Sequence, residues 1–457
     1  GLGGRLGDIV VPTTIAGFEE LLAFCLAFVG SAGRLIGFGV EGTGSYGVGL
    51  ARYLRNHGHD VHEIARPARA AERRLAGKND TIDMAGLSQP VEIVRDRHGV
   101  SHIYAQNQAD LFFAQGFSAA RDRLWQLDLW RRQGEGKMAE QFGPRFIEQD
   151  RAARLFLFRG DMQAEYASYH PQGQAILTAF AAGINAYVDW VKAHPDQMPP
   201  EFKLTGTEPG YWSPQTSLIR IYGLTRNLNE EVRMAQRVAA LGLNTVQGLS
   251  TFEPPLALQV PAGLDVKQVD SKVLANYSLA RTGQKFVAAD FPRSPLAEDQ
   301  RAALASRLSA GMMAALDPAF DPMATRYESN NWTIGGQHTA TGKPILAGDP
   351  HRSITMPSLR YMVHLNAPGW NVIGAGEPAL PGVSMGHNDR IAFGLTIFAF
   401  GDEEDLYVYD TNPSNPNEYR YRGGWEKMRQ VEESIPVRGQ PAATRQLKFT
   451  RHGPVDR

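Results

Sequence analysis

Three short stretches of this sequence carry side chains that can do chemistry. Ser329-Asn330-Asn331-Trp332 offers a hydroxyl, and Gly348-Asp349-Pro350-His351 brings an imidazole downstream of it. A serine hydroxyl is a poor nucleophile until a base takes its proton, and a nearby histidine is the usual base. Either residue alone says little, since serines are common and histidines are more often packing or surface residues. The third stretch, Gly401-Asp402-Glu403-Glu404-Asp405-Leu406, crowds carboxylates onto what reads as a loop. Closely spaced carboxylates suit Ca²⁺, which takes oxygen ligands; a solvated acidic turn is the plain alternative.

The elements around these residues read clearly. After about residue 330 short apolar runs alternate with turns, at 332–334, 345–347, 361–365, 371–373 and 406–409, which predicts a largely antiparallel sheet. Upstream, 91–94 and 100–104 alternate apolar and polar residues around Arg97-His98-Gly99, the pattern of a β-hairpin. Asn107 offers an N-cap for a long helix whose apolar stripe is Leu111, Phe112, Gln115, Ala119, Leu124 and Leu127. A second helix spans about 172–192, with the stripe Ile176, Phe180, Ile184, Tyr187 and Val191, and ends at His194-Pro195. Both stripes read as core packing.

The chain changes character near residue 88. Before it, 35–40 reads as a buried strand, 48–56 as a helix and 61–64 as the next strand, a unit that usually builds a parallel sheet. The turn between holds Gly42-Thr43-Gly44 but lacks the third glycine of a dinucleotide site. Residues 21–29 are apolar but follow Glu19 and Glu20, and nine residues cannot span a bilayer. They read as a buried helix, so neither a signal peptide nor a membrane partner is expected.

Composition excludes further classes. The 457 residues are 43% hydrophobic and 21% charged with net charge −1, so no whole-chain field draws nucleic acid or anionic membrane. The one cysteine, Cys25, rules out an intramolecular disulfide and a cysteine zinc cluster.

Two resemblances add to this reading. Asp96-Arg97-His98-Gly99-Val100-Ser101-His102-Ile103, then residues 119–128 (Ala-Ala-Arg-Asp-Arg-Leu-Trp-Gln-Leu-Asp) and Gly136-Lys137-Met138-Ala139-Glu140, resemble the small-chain opening of penicillin acylases. The Ser329, His351 and Asp402 stretches resemble the start of that family's large chain, in the family's order. The resemblance implies an N-terminal-nucleophile (Ntn) hydrolase with an α+β, four-layer αββα sandwich, incomplete here. It would be made as a precursor that cuts itself before Ser329, the nucleophile, and discards a spacer. The implied parts are a small chain over 89–260, a spacer over 261–328 and the start of a large chain over 329–457, the two chains pairing after the cut. Once Ser329 is an N-terminus, its own α-amine, with a pKa of roughly 7.7–8.0, can serve as the base. The resemblance further implies that His351 contacts the nucleophile region. On the same resemblance Ile397 would supply a backbone N–H to the oxyanion hole, and Asp402 and Asp405 would hold structural calcium with Glu231 as a candidate third ligand. The expected substrate is a small acylated amine, a β-lactam side chain or an acyl-homoserine lactone.

The second resemblance is weaker. Residues 40–47 and 77–83 resemble the RNase-H-like catalytic domain of IS110-family transposases, with Glu41, Asp80 and Asp83 at its later acidic positions. Its first strand and leading Asp are absent, so 1–88 is expected to be a partial α/β segment whose acids are a solvated remnant; the alternatives are a metal-dependent DNA transposase or nuclease fragment, or a non-catalytic fusion product. The acylase resemblance stops at Arg457, before the family's second oxyanion donor, which predicts a truncated chain with little turnover. Family members are usually periplasmic or secreted; without a signal peptide the chain as written is expected in the cytoplasm. Glu328 stands where a small residue is common, and Arg352 where an apolar one is; an Arg352 facing the acyl pocket would favour an anionic acyl group.

Overall fold

The computed structural model describes residues 14–27, 38–40, 48–59, 61–63, 80–82, 85–219, 227–250, 257–316, 329–351, 357–396 and 406–456. They fall into two compact units, one of residues 1–78 with 95–99, the other of residues 79–94 with 100–457.

In the first unit, strands β1 (Phe38–Val40) and β2 (Val61–Glu63) pair in parallel through the helix Val48–Asn56, the strand–helix–strand order the sequence predicts. The helix expected at 21–29 is present as Ile15–Ala27, with Leu21 and Leu22 half buried and Phe18 5.7 Å from Tyr53; residues 28 and 29 lie outside the described residues. Glu41 and Asp83 lie outside the described residues.

The second unit is built on a seven-stranded sheet, with helices packed against it. Its order is β11-β10-β9-β8-β5-β4-β3, where β3 is Asp80–Ile82, β4 Val91–Arg95, β5 Ser101–Tyr104, β8 Tyr361–Ala367, β9 Trp370–Gly376, β10 Met385–His387 and β11 Ala392–Phe393. The strand carrying Asp80 thus pairs with β4 on the acylase-like side of the expected seam. The sheet is mixed rather than antiparallel throughout: β5 and β8 run in parallel, Ser101 opposite Val363. That pairing links the early part of the unit to the late part within one sheet. Val91, Ile93, Ile103, Val363 and Leu365 put one face of this sheet into the core.

The helix Gln108–Glu135 is capped as expected, Asn107 accepting from Asp110 N, and kinks at Arg123, whose φ is −139°. Gly136 at φ 63° closes its other end, a left-handed position suited to glycine. The second helix, Gly173–Ala193, crosses it at two glycines. A Cβ on Gly183 would stand 1.8 Å from Phe113 O, and one on Gly116 2.1 Å from Phe180 O, so only bare backbone allows this approach. The motif around Arg123 and Asp128 is structural. Asp128 is 3% exposed; its carboxylate accepts from Arg131 and Arg132 at 2.7 Å each and from Gly210 N at 2.9 Å. Burial alone would raise this carboxyl, but Arg132 and Arg131 hold it below the ordinary range.

The C-terminal strands form two smaller sheets: β12 (Thr411–Asn412) to β14 (Gly424–Lys427) through β13 (Asn415–Tyr421), and β15 (Arg429–Val437) to β17 (Gly453–Pro454) through β16 (Gln440–Thr450). Residues 406–409, expected as a strand, are not one. Tyr407 and Tyr409 turn their rings onto His452, and ladder pairing begins only at Thr411.

Candidate active site

The ribbon β6 (Ser329–Ile334) and β7 (Ile345–Pro350) stands apart from the seven-stranded sheet as its own two-stranded pair. Gly342, at φ 69°, makes the turn near its far end. Antiparallel register sets Ser329 opposite Pro350, Asn330 opposite Asp349 and Asn331 opposite Gly348. The pairing brings His351, one residue past Pro350, to the Ser329 end of the ribbon. His351 Nε2 is 3.0 Å from Asp349 Oδ2, and the imidazole is half exposed. The ribbon's residues are mostly exposed, Trp332 by 52% and Ile345 by 46%.

A third segment completes the arrangement. Chain leaving β11 at the edge of the large sheet passes over the ribbon. A Cβ on Gly394 would stand 3.1 Å from Asn331 Nδ2, and one on Gly348 would stand 4.0 Å from Gly394 Cα. Two residues on, Thr396 meets Ser329, itself two residues before Asn331. Residues 394–396 therefore run antiparallel to β6 with the period of an extended chain.

Thr396 holds Ser329 twice. Its Oγ1 donates to the Ser329 carbonyl oxygen at 2.9 Å, and the two hydroxyls are 2.8 Å apart. A threonine hydroxyl has one hydrogen, already directed at the carbonyl, so in the second contact Ser329 Oγ donates to Thr396. One side chain thereby contacts both the hydroxyl and the backbone carbonyl of Ser329. Sequence reasoning did not find Thr396, because a lone threonine has no signature; its only signal was standing next to Ile397.

The expected calcium ligands are placed in part. Glu231 lies on the helix Asn227–Leu241, and its Oε2 accepts from Leu406 N at 3.1 Å. Leu406 packs with Phe156 and Val269 against Val232, Leu274 and Tyr277, which fixes it beside the Glu231 helix. Ile397, Asp402 and Asp405 lie outside the described residues, as do Glu328 and Arg352. Among the described residues, no cluster of three or more His, Cys, Asp or Glu side chains is placed to hold a metal ion. No described helix is long and apolar enough to cross a membrane.

Known proteins resemble this chain across the same region. Penicillin G acylase of Escherichia coli is 28% identical in an alignment 393 residues long that covers 80% of this chain and 46% of that protein. The acyl-homoserine lactone acylase QuiP of Pseudomonas aeruginosa is 28% identical over 375 residues, 81% of this chain and 40% of that protein. The penicillin acylase 2 proenzyme of Pseudomonas sp. (strain SE83) is 29% identical over 391 residues, 84% of this chain and 46% of that protein. The chain thus spans about half the length of the curated relatives it matches. The family described as penicillin amidase matches residues 90–456, from the start of β4 through the Ser329 ribbon to β17. A match of that extent, carrying the Ser329 ribbon and the Thr396 clamp within it, makes this chain a member of the penicillin amidase family.

Proposed function

We propose that this chain carries the nucleophile of an amide hydrolase that cuts itself between Glu328 and Ser329 and then hydrolyses a linear amide of a small acylated amine. The observation that carries this reading is the double hold of Thr396 on Ser329 at the start of β6. In the self-cut, Ser329 Oγ adds to the Glu328 carbonyl carbon, and the C–N bond to Ser329 breaks as its nitrogen takes the proton. Water then hydrolyses the resulting ester, freeing the hydroxyl and the α-amine. In turnover that amine accepts the Oγ proton, Oγ bonds to the substrate carbonyl, the substrate's amine leaves with the proton, and water releases the acid. Two relatives are named for penicillin and one for acyl-homoserine lactones, and these two classes of acylated amine are the substrates we infer.

His351 is at the Ser329 end of the ribbon and lines the nucleophile's surroundings. Ile397 follows Thr396 directly, so its N–H is the candidate donor to the oxyanion. One such donor is worth roughly 2.7–4 kcal/mol at the transition state. Glu231, Asp402 and Asp405 would hold the calcium. The fit rests on the Glu231 carboxylate reaching Leu406 N, next to the acidic loop. The ion's role there is structural, tying the Asn227–Leu241 helix to that loop. Ahead of the hydrolase, the parallel β1–β2 pair is what supports a partial RNase-H-like segment.

Intact-mass measurement of the purified chain tests the proposal. A product beginning Ser-Asn-Asn-Trp, absent in Ser329→Ala, is expected. Stable cleavage elsewhere that is indifferent to Ser329→Ala would sink it.

A further inference from the structure

The resemblance marks 261–328 as a spacer to be discarded, but much of that stretch is anchored in the body of the protein. Phe286 and Phe291 are 6% and 0% exposed and belong to the main core. Phe286 lies 5.0 Å from the Phe142 ring and 5.8 Å from Phe146; Phe291 lies 6.0 Å from Phe142. Ala305, on the helix Glu298–Leu316, is also in that core, and Ser309 Oγ accepts from Phe286 N at 2.8 Å.

Polar groups on both sides of the expected cut reach for the same stretch. From the early side, Gln149 Nε2 donates to Thr282 O at 2.8 Å, Gln133 Nε2 donates to the same oxygen at 3.2 Å, and Arg145 pairs with Asp290 at 2.6 Å. From the late side, Arg438 Nη1 donates to Asp290 O at 2.7 Å. The same guanidinium donates to Gln141 O at 2.7 Å and Phe142 O at 3.1 Å. Asp456 Oδ1 accepts from Asn276 N at 2.8 Å and Tyr277 N at 3.2 Å. Removing the stretch would empty core sites and strip partners from Gln133 and Gln149, both over nine-tenths buried.

We propose that residues 271–309 are a retained clasp, not a spacer: they stay with the small chain and bind the large chain through Asp290–Arg438 and Asn276–Asp456. Any discarded peptide lies wholly within 310–328. This rests on the self-cutting reading for its two chains, but the anchoring of 271–309 stands without it.

Two measurements separate the two claims. In the full chain, whether a cut precedes Ser329 tests the self-cutting reading. Where the small product ends tests the clasp. Its mass should place the C-terminus between 310 and 328, and the product should co-elute with the large chain on gel filtration. A small product ending before 309, with 271–309 released as free peptide, overturns the clasp. For a chain that does not cut, trypsin digestion of full-length Ser329→Ala decides. The bonds after Arg281 and Lys285 should be cut at least a hundredfold more slowly than in the same chain unfolded in urea. Cleavage there within about threefold of the unfolded rate overturns the clasp as well.

Discussion

Ser329 and Thr396 share two hydrogen bonds, one to the carbonyl and one between hydroxyls, across a sequence separation of 67 residues. The pair makes Thr396 a positioning residue for the nucleophile we propose, Ser329. One lost hydrogen bond of this kind is worth about 0.5–1.5 kcal/mol. Thr396→Val should therefore slow appearance of the Ser329 N-terminus by about three- to tenfold. Thr396→Ser, which keeps the hydroxyl, should restore most of the rate. Equal rates in all three proteins, timed by mass spectrometry, would remove Thr396 from the site.

The crossing of the two long helices yields a test whose sign is informative. At an ordinary helix interior Gly→Ala stabilises by about 1 kcal/mol. At Gly183 the new Cβ meets Phe113 O at 1.8 Å, backbone that cannot swing aside. Overpacking of a dense core costs about 1–3 kcal/mol. Gly183→Ala is thus expected to lose about 2 kcal/mol or more in urea unfolding, and a gain would show that the helices do not approach so closely.

Asp150 gives a pH signature. It is 1% exposed, and burial pushes its carboxyl up to about 6 against the pull of the Ala139 and Met138 N–H donors and Arg154. An aspartate in the unfolded chain titrates near 3.9. Between these values the folded protein holds a proton that the unfolded chain has released. The stabilisation is complete below the unfolded pKa and is lost as pH rises through about 6. Asp150→Asn has no such titration. The stability advantage of the wild type over this variant should shrink by about 2 kcal/mol from pH 4.5 to 7.5. A constant difference across that range would mean that Asp150 is not raised.

Calcium binding can be read as stability. An ion that binds only the folded state at a hundred times its Kd adds about 2.7 kcal/mol. Chelation should lower the melting temperature of the full chain, and Glu231→Gln should abolish that response. An identical melting temperature with and without chelator, together with no calcium by elemental analysis, refutes the site.

Patterns between near neighbours in the chain set the local elements and the order of the motifs. The Asn107 cap, the two helices with their apolar stripes, and the β6 and β7 strands follow from periodicity and turn chemistry, which act between near neighbours. Ser329 stood out only through the order of motifs around it. The tertiary structure decided what depends on distant partners. It made β5 and β8 parallel, a pairing across residues 101 and 363 that no local pattern encodes. It turned Tyr407 and Tyr409 onto His452 instead of into a ladder, and it brought Thr396 to Ser329. It also drew Phe286 and Phe291 of the expected spacer into the core, because burial is set by what the rest of the chain places opposite a side chain, not by its neighbours in sequence.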